Sequence, residues 1–253
     1  MFYFAIAAMM AVGGSSSTAG PAASPAPAAT AAPAAGAAAS GPLREIVYKV
    51  AQTDSSSGTA SDYGGTDTGS RSGWDQGTLT IDVLQVLSDD ILAVHASEAW
   101  NSLGGKPFAA TGYVASDGTL SLVSGTYSAV MLTLLPYVAS GFIASHNMTL
   151  GTAWTLSGDA DKVHYEHHYA VTKIDGADVT ISIDGQMTGS GMGMFPTIER
   201  DTVVYRPSLL VPISGDFSTR TRSSTGAEDS TVSHNLHFQR VSDTRETSGT
   251  ATH

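Results

Sequence analysis

Thr126-Tyr-Ser-Ala-Val-Met-Leu-Thr-Leu-Leu-Pro-Tyr-Val-Ala-Ser-Gly-Phe142 breaks the rhythm of the chain around it. On either side apolar and polar residues alternate with the period of strands. Within it, Tyr127, Val130, Met131, Leu134, Leu135 and Val138 recur at the three- and four-residue steps of one helical face. Pro136 lacks a backbone donor and disfavours helical geometry at Leu135. The pattern predicts a short helix to about Leu134, a kink, and a second turn opened by Pro136 and closed near Gly141. So short a helix is marginal in water, so its apolar face needs a partner, and the sequence offers only β-structure to supply it.

The strands are read outward from there. Val179-Thr-Ile-Ser-Ile-Asp184 alternates cleanly. Arg44 to Ala51, Gly77 onward, Ile91 to Trp100, Phe108 to Val114 and Thr119 to Val123 precede the helix, with a bulge-like phase slip at Val83-Leu84 and a turn at Ser116-Asp-Gly118. Thr152 to Leu156, Lys162 to Ile174, Thr197 to Tyr205, Leu209 to Ser214, Phe217 to Thr221 and Ser230 to Val241 follow it. Thr53 to Gly73 reads as a long Ser/Gly/Asp/Thr loop, and Gly185 to Met194 as a Gly/Met-rich connection. The fold class is mainly β: a curved antiparallel sheet, half-barrel or open barrel, with one short kinked helix packed on its concave face.

The 253 residues divide into four segments. Residues 1–19 read as a signal peptide, from the apolar run Phe2 to Val12 and the small residues that follow it. No Lys or Arg precedes that run; the first charge is Arg44. Residues 20–42, interrupted by Pro21, Pro25, Pro27, Pro33 and Pro42, read as a disordered Ala/Pro tether. Residues 43–244 form a single β-rich domain, and 245–253 a tail. Signal, tether and domain together make the layout of an exported protein, periplasmic or at the cell surface, without an integral membrane span.

The formal charge of −11, with no run of Lys or Arg, disfavours nucleic acid and polybasic membrane attraction. The absence of cysteine excludes disulfides, thiolate metal sites and cysteine nucleophiles. No Gly-x-Ser-x-Gly elbow or P-loop lysine is present, so the sequence predicts no enzyme and no cofactor. Asp89-Asp90, Asp159 with Asp161, and Asp175 with Asp178 fit turn chemistry better than calcium loops.

The order of elements is also familiar. A Gly118-Thr-Leu120 strand, a helix with Leu134-Leu-Pro136, then Leu150-Gly-Thr-Ala-Trp154 and long hairpins resemble the periplasmic lipoprotein carriers and related bacterial envelope proteins. The resemblance implies a half-barrel whose concave face is covered by helices and receives lipid chains. This chain has one kinked helical segment where the carriers have more cover, and it lacks the cysteine of their lipid-anchored relatives.

Two groups are candidates for function. In Val163-His-Tyr-Glu-His-His-Tyr169, a strand places His164, Glu166 and His168 on one face, and Tyr165, His167 and Tyr169 on the other. The first face is either a divalent-metal site completed by a neighbouring strand or a solvated polar face; the second reading is preferred and no metal ligand is assigned. The other group is apolar. Tyr127, Val130, Met131, Leu134, Leu135 and Val138 of the helix, with Met187, Met192 and Met194, either line a site for a lipid or other apolar ligand or complete the core. Two functions follow as expectations: a non-enzymatic envelope protein binding such a ligand, or a structural module docking an envelope protein partner.

Overall fold

The computed structural model describes residues 42–62, 65–87, 91–102, 108–116, 118–138, 143, 146–160, 163–189, 196–224 and 228–245. Residues 1–41, read above as signal and tether, together with Gly141, Met192, Met194 and most of the expected tail, lie outside these residues.

Among the described residues, eleven antiparallel strands form one curved, unclosed sheet in the order β5-β4-β3-β2-β1-β11-β10-β9-β8-β7-β6. The first meander is β1 (Arg44–Asp62), β2 (Gly65–Val86), β3 (Leu92–Trp100), β4 (Ala109–Val114) and β5 (Leu120–Gly125). The second is β6 (Ala153–Ala160), β7 (Val163–Asp175), β8 (Asp178–Gly189), β9 (Thr197–Arg206), β10 (Val211–Ser224) and β11 (Glu228–Asp243). Pairing of β1 with β11 joins the two meanders. The edges are therefore β5 and β6, and the chain that leads from one edge to the other carries the helix. Bulges fall at Val47/Tyr48, Val83/Gln85, Thr111/Gly112, Val171/Lys173 and Pro212/Ser214, where an extra residue bends the strand. The second of these is the phase slip legible at Val83-Leu84.

Helix α1 (Ala129–Leu134) runs into a 3-10 turn, Leu135–Tyr137, with Pro136 in its first positions. Ser128 caps α1, its Oγ accepting the Met131 amide at 3.0 Å. Val130, Met131, Leu134, Leu135, Tyr137 and Val138 are buried in one core cluster with Ile46, Tyr48, Leu79 and Ile81 of the first meander and Val171, Ile181, Val203 and Phe238 of the second. The helical segment thus touches both halves of the sheet. Tyr137 lies 5.6 Å from the Phe217 ring on β10, while Ser128 donates to Glu98 on β3. Gly112 on β4 admits Tyr127: a Cβ there would collide with the tyrosine hydroxyl.

Two segments differ from the sequence reading. Thr53 to Asp62 and Gly65 to Gly73 are not a loop; they belong to β1 and β2, paired in continuous register from Arg44↔Val83 to Asp62↔Gly65. Their Ser and Gly residues have little strand preference, but β1 is also laddered to β11 on its other side, out to Ala60↔Glu228. Backbone bonds on two sides outweigh the weak local preference. Likewise Gly185 to Gly189 belongs to β8 rather than to a connection, with Gly185↔Glu199 and Met187↔Thr197 paired to β9. At the domain boundary, Arg44 binds Asp243 through Nε–Oδ1 at 2.9 Å and Nη2–Oδ2 at 2.5 Å, clamping the start of β1 to the end of β11. Among the described residues no helix is long and apolar enough to cross a membrane.

Candidate functional site

A cleft of about 250 Å³ opens beside the N-terminal end of α1. Trp100 and Phe108 line it, together with Tyr127, Val130 and Leu132 of the helical segment. Its polar groups come from Gln52, Asp75, Glu98 and Ser128. The volume sits just below the roughly 300–1,000 Å³ usual for small-molecule sites.

Glu98 gives the cleft its chemistry. On β3, Leu92, Val94, Ala96 and Glu98 share the buried phase, so alternation carries a carboxyl onto the inner face. Its Oε2 accepts Trp100 Nε1–H at 2.7 Å, and Oε1 accepts the Ser128 hydroxyl. Burial pushes its carboxyl above the usual range, opposed by the bonds from Ser128, Trp100 and the Met131 amide. Asp75 has the opposite tendency: the Ser102 hydroxyl, with the amides of Gln76 and Ser102, holds its carboxyl below the usual range against some desolvation. Gln52 donates to Asp54 at 2.8 Å, and Asp54 pairs with His234 Nδ1 at 2.5 Å, so the cleft passes into a polar row on the concave face.

That row runs along the strand register: Asp54↔His234, His234↔Thr219, Thr219↔Glu199, Glu199↔Gly185 and Gly185↔His167. It is half-buried at Asp54 and His234 and buried at Glu199 and His167. His167 Nε2 stands 2.8 Å from Glu199 Oε2. Gly185 makes the approach feasible, because a Cβ there would collide with the His167 ring. One step along β9, Asp201 accepts the Ser218 amide at 3.0 Å. Burial and the adjacent Glu199 charge push its carboxyl up to about 8; the Ser218 bond opposes this and Asp184 adds to it. The Tyr137 hydroxyl is driven well above its ordinary range by burial, by Tyr169 and by both acids.

The apolar residues singled out in the sequence separate into three sets. Tyr127 and Val130 line the cleft. Met131, Leu134, Leu135 and Val138 are 0% exposed and sit in the core cluster, where the sheet fills the space around them. Met187 is buried far along β8, opposite Thr197; Met192 and Met194 lie outside the described residues. On β7, Tyr165, His167 and Tyr169 face inward and His164 and His168 outward, as the alternation predicts. His164 pairs with Asp159 at 2.9 Å, and His168 with Glu166 at 3.3 Å. Among the described residues no three His, Asp or Glu side chains converge as a metal site.

The sequence reading did not single out Glu98, Glu199 or Asp201. The signal was present: each is a carboxylate in phase with the apolar face of its strand. Glu199 and Asp201 continue the phase of Val203 and Tyr205.

No family model and no curated protein matches the chain. Among solved structures, the crystal structure of Rv2717c from M. tuberculosis aligns with 74% of this chain and 91% of its own, at 11% identity and a TM-score of 0.27. A likeness that low establishes neither a shared fold nor a shared function.

Proposed function

We propose that this is an exported, non-enzymatic protein of the bacterial cell envelope that binds an apolar or amphiphilic ligand at the open end of its half-barrel. The cleft beside α1 carries this reading, because there the largely filled concave face gives way to aromatic and aliphatic side chains around a few polar groups. With Met131, Leu134, Leu135 and Val138 fully packed, the ligand enters beside the helix rather than beneath it. A short chain or small amphiphile fits a volume of about 250 Å³, whereas the acyl chains of a whole lipoprotein do not. Binding without catalysis agrees with Ser128, whose hydroxyl is engaged as a donor to Glu98 and as an acceptor from Met131. Export is supported by the apolar N-terminal run and the Ala/Pro segment.

Solvent extraction of protein purified from an envelope fraction, followed by mass spectrometry, tests the reading. One amphiphile per chain is expected from the natural protein and none from Ala129→Trp, which fills the cleft from an exposed lining position. A natural protein that yields no amphiphile contradicts it.

A second reading, an interaction module, is favoured by edge strand β5, where Leu122 and Val123 are more than half exposed. An envelope protein adding a strand there would satisfy the free backbone groups and cover both side chains. Crosslinking from position 122 in intact cells should then capture one defined protein; its absence counts against this reading.

A further inference from the structure

We propose that the ligand of the α1 cleft is an organic ammonium ion, an amine or quaternary nitrogen carried on a short apolar body. This rests on the ligand-binding reading above and adds the charge of the ligand. Among the described residues the lining contains two carboxyl residues, Glu98 and Asp75, and no Lys, Arg or His. Three aromatic rings, Trp100, Phe108 and Tyr127, stand in the same lining. Aromatic rings attract cations through their quadrupole, and a carboxylate among them supplies the countercharge.

The placement of Glu98 strengthens the case. It is 1% exposed yet borders the cleft, so its charge acts through little intervening water. A carboxylate offers about four acceptor positions; Ser128 and Trp100 occupy two of them and fix the group's orientation. An ammonium N–H can take a remaining position, and a quaternary nitrogen can sit against the rings. An anionic head would meet two carboxyl groups with no cation beside them among the described lining residues. The chain's net charge of −11 acts in the same direction at longer range.

Calorimetric titration of the full chain with octylammonium, 1-octanol and octanoate reads the head-group preference at constant chain length. Octylammonium is expected to bind about tenfold or more tightly than 1-octanol, and octanoate more weakly than both. Glu98→Gln should abolish the preference for octylammonium over 1-octanol, and Asp75→Asn should reduce it. Where Glu98→Gln does not fold, Asp75→Asn and Trp100→Leu carry the test in its place. Equal affinity for octanol and octylammonium overturns the ammonium assignment and leaves the ligand-binding reading standing. A preference for octylammonium that survives these substitutions overturns the assignment to this cleft, and no binding of any probe overturns both.

Discussion

Replacing Asp201 with Asn should change how the stability of this protein depends on pH. In the fold, Asp201 is buried beside Glu199 and its pKa stands at about 8, against 3.8 for the free side chain. A carboxyl raised in this way binds its proton more tightly in the native than in the unfolded chain. Its contribution is therefore fully present below pH 3.8, declines as pH rises, and is lost once pH passes about 8. Within that window the slope approaches 1.4 kcal/mol per pH unit. Ionised Asp201 thus costs the fold on the order of 5 kcal/mol above pH 8. The site is buried, so solvent screening removes little of this. Asn keeps an oxygen for the Ser218 amide, now 3.0 Å from Oδ1, and cannot ionise. Urea unfolding of both proteins at half-unit steps from pH 5 to 9 gives the difference curve, in which groups common to both cancel. The Asn variant should gain steadily on the natural protein up to about pH 8 and hold that gain above it. Parallel curves would show that Asp201 ionises as freely in the fold as in the unfolded chain, and would refute the electrostatic description of the concave row.

Further outcomes follow from the same packing. Asp243→Ala leaves the buried Arg44 guanidinium without its bidentate partner and should cost about 3–5 kcal/mol in denaturant unfolding. Leu134→Ala removes a fully buried side chain from the contact between α1 and the sheet, so a loss of about 2–5 kcal/mol is expected from the same assay. Gly185→Ala places a methyl group against the His167 ring; about 1–3 kcal/mol of destabilisation should result, and His167→Ala in the same chain should recover part of it. Ser128→Ala removes the α1 cap and one bond to Glu98 and should lower stability by about 1 kcal/mol.

Much of the fold was legible because its signals are local. Pro136 marked the change from α-helix to 3-10 turn, and the slip at Val83-Leu84 marked a bulge that the β2–β3 register contains. The β1–β2 hairpin was not legible, because residues such as Ser55, Ser56, Ser57 and Gly58 carry no apolar alternation. Their strand state comes from ladders to β2 and β11, which a single sequence does not display. The site was half legible. Tyr127 and Val130 were reached through helical periodicity, whereas Glu98 sits in a strand read only for its apolar residues. Strands that carry a carboxylate in the phase of their core residues are where such a reading gains most. Here that rule would have found Glu98, Glu199 and Asp201 together.

The central claim is that ligand enters beside α1 and not beneath it. Amide chemical-shift mapping during titration with octylammonium tests this most directly. Saturable shifts are expected around Gln52, Asp75, Glu98, Trp100 and residues 127–132, with the amides of Leu134, Leu135 and Val138 little changed. Shifts centred on Leu134 to Val138 would place the ligand under the helix, and no saturable shifts would mean that the cleft binds no such ligand; either result contradicts the account.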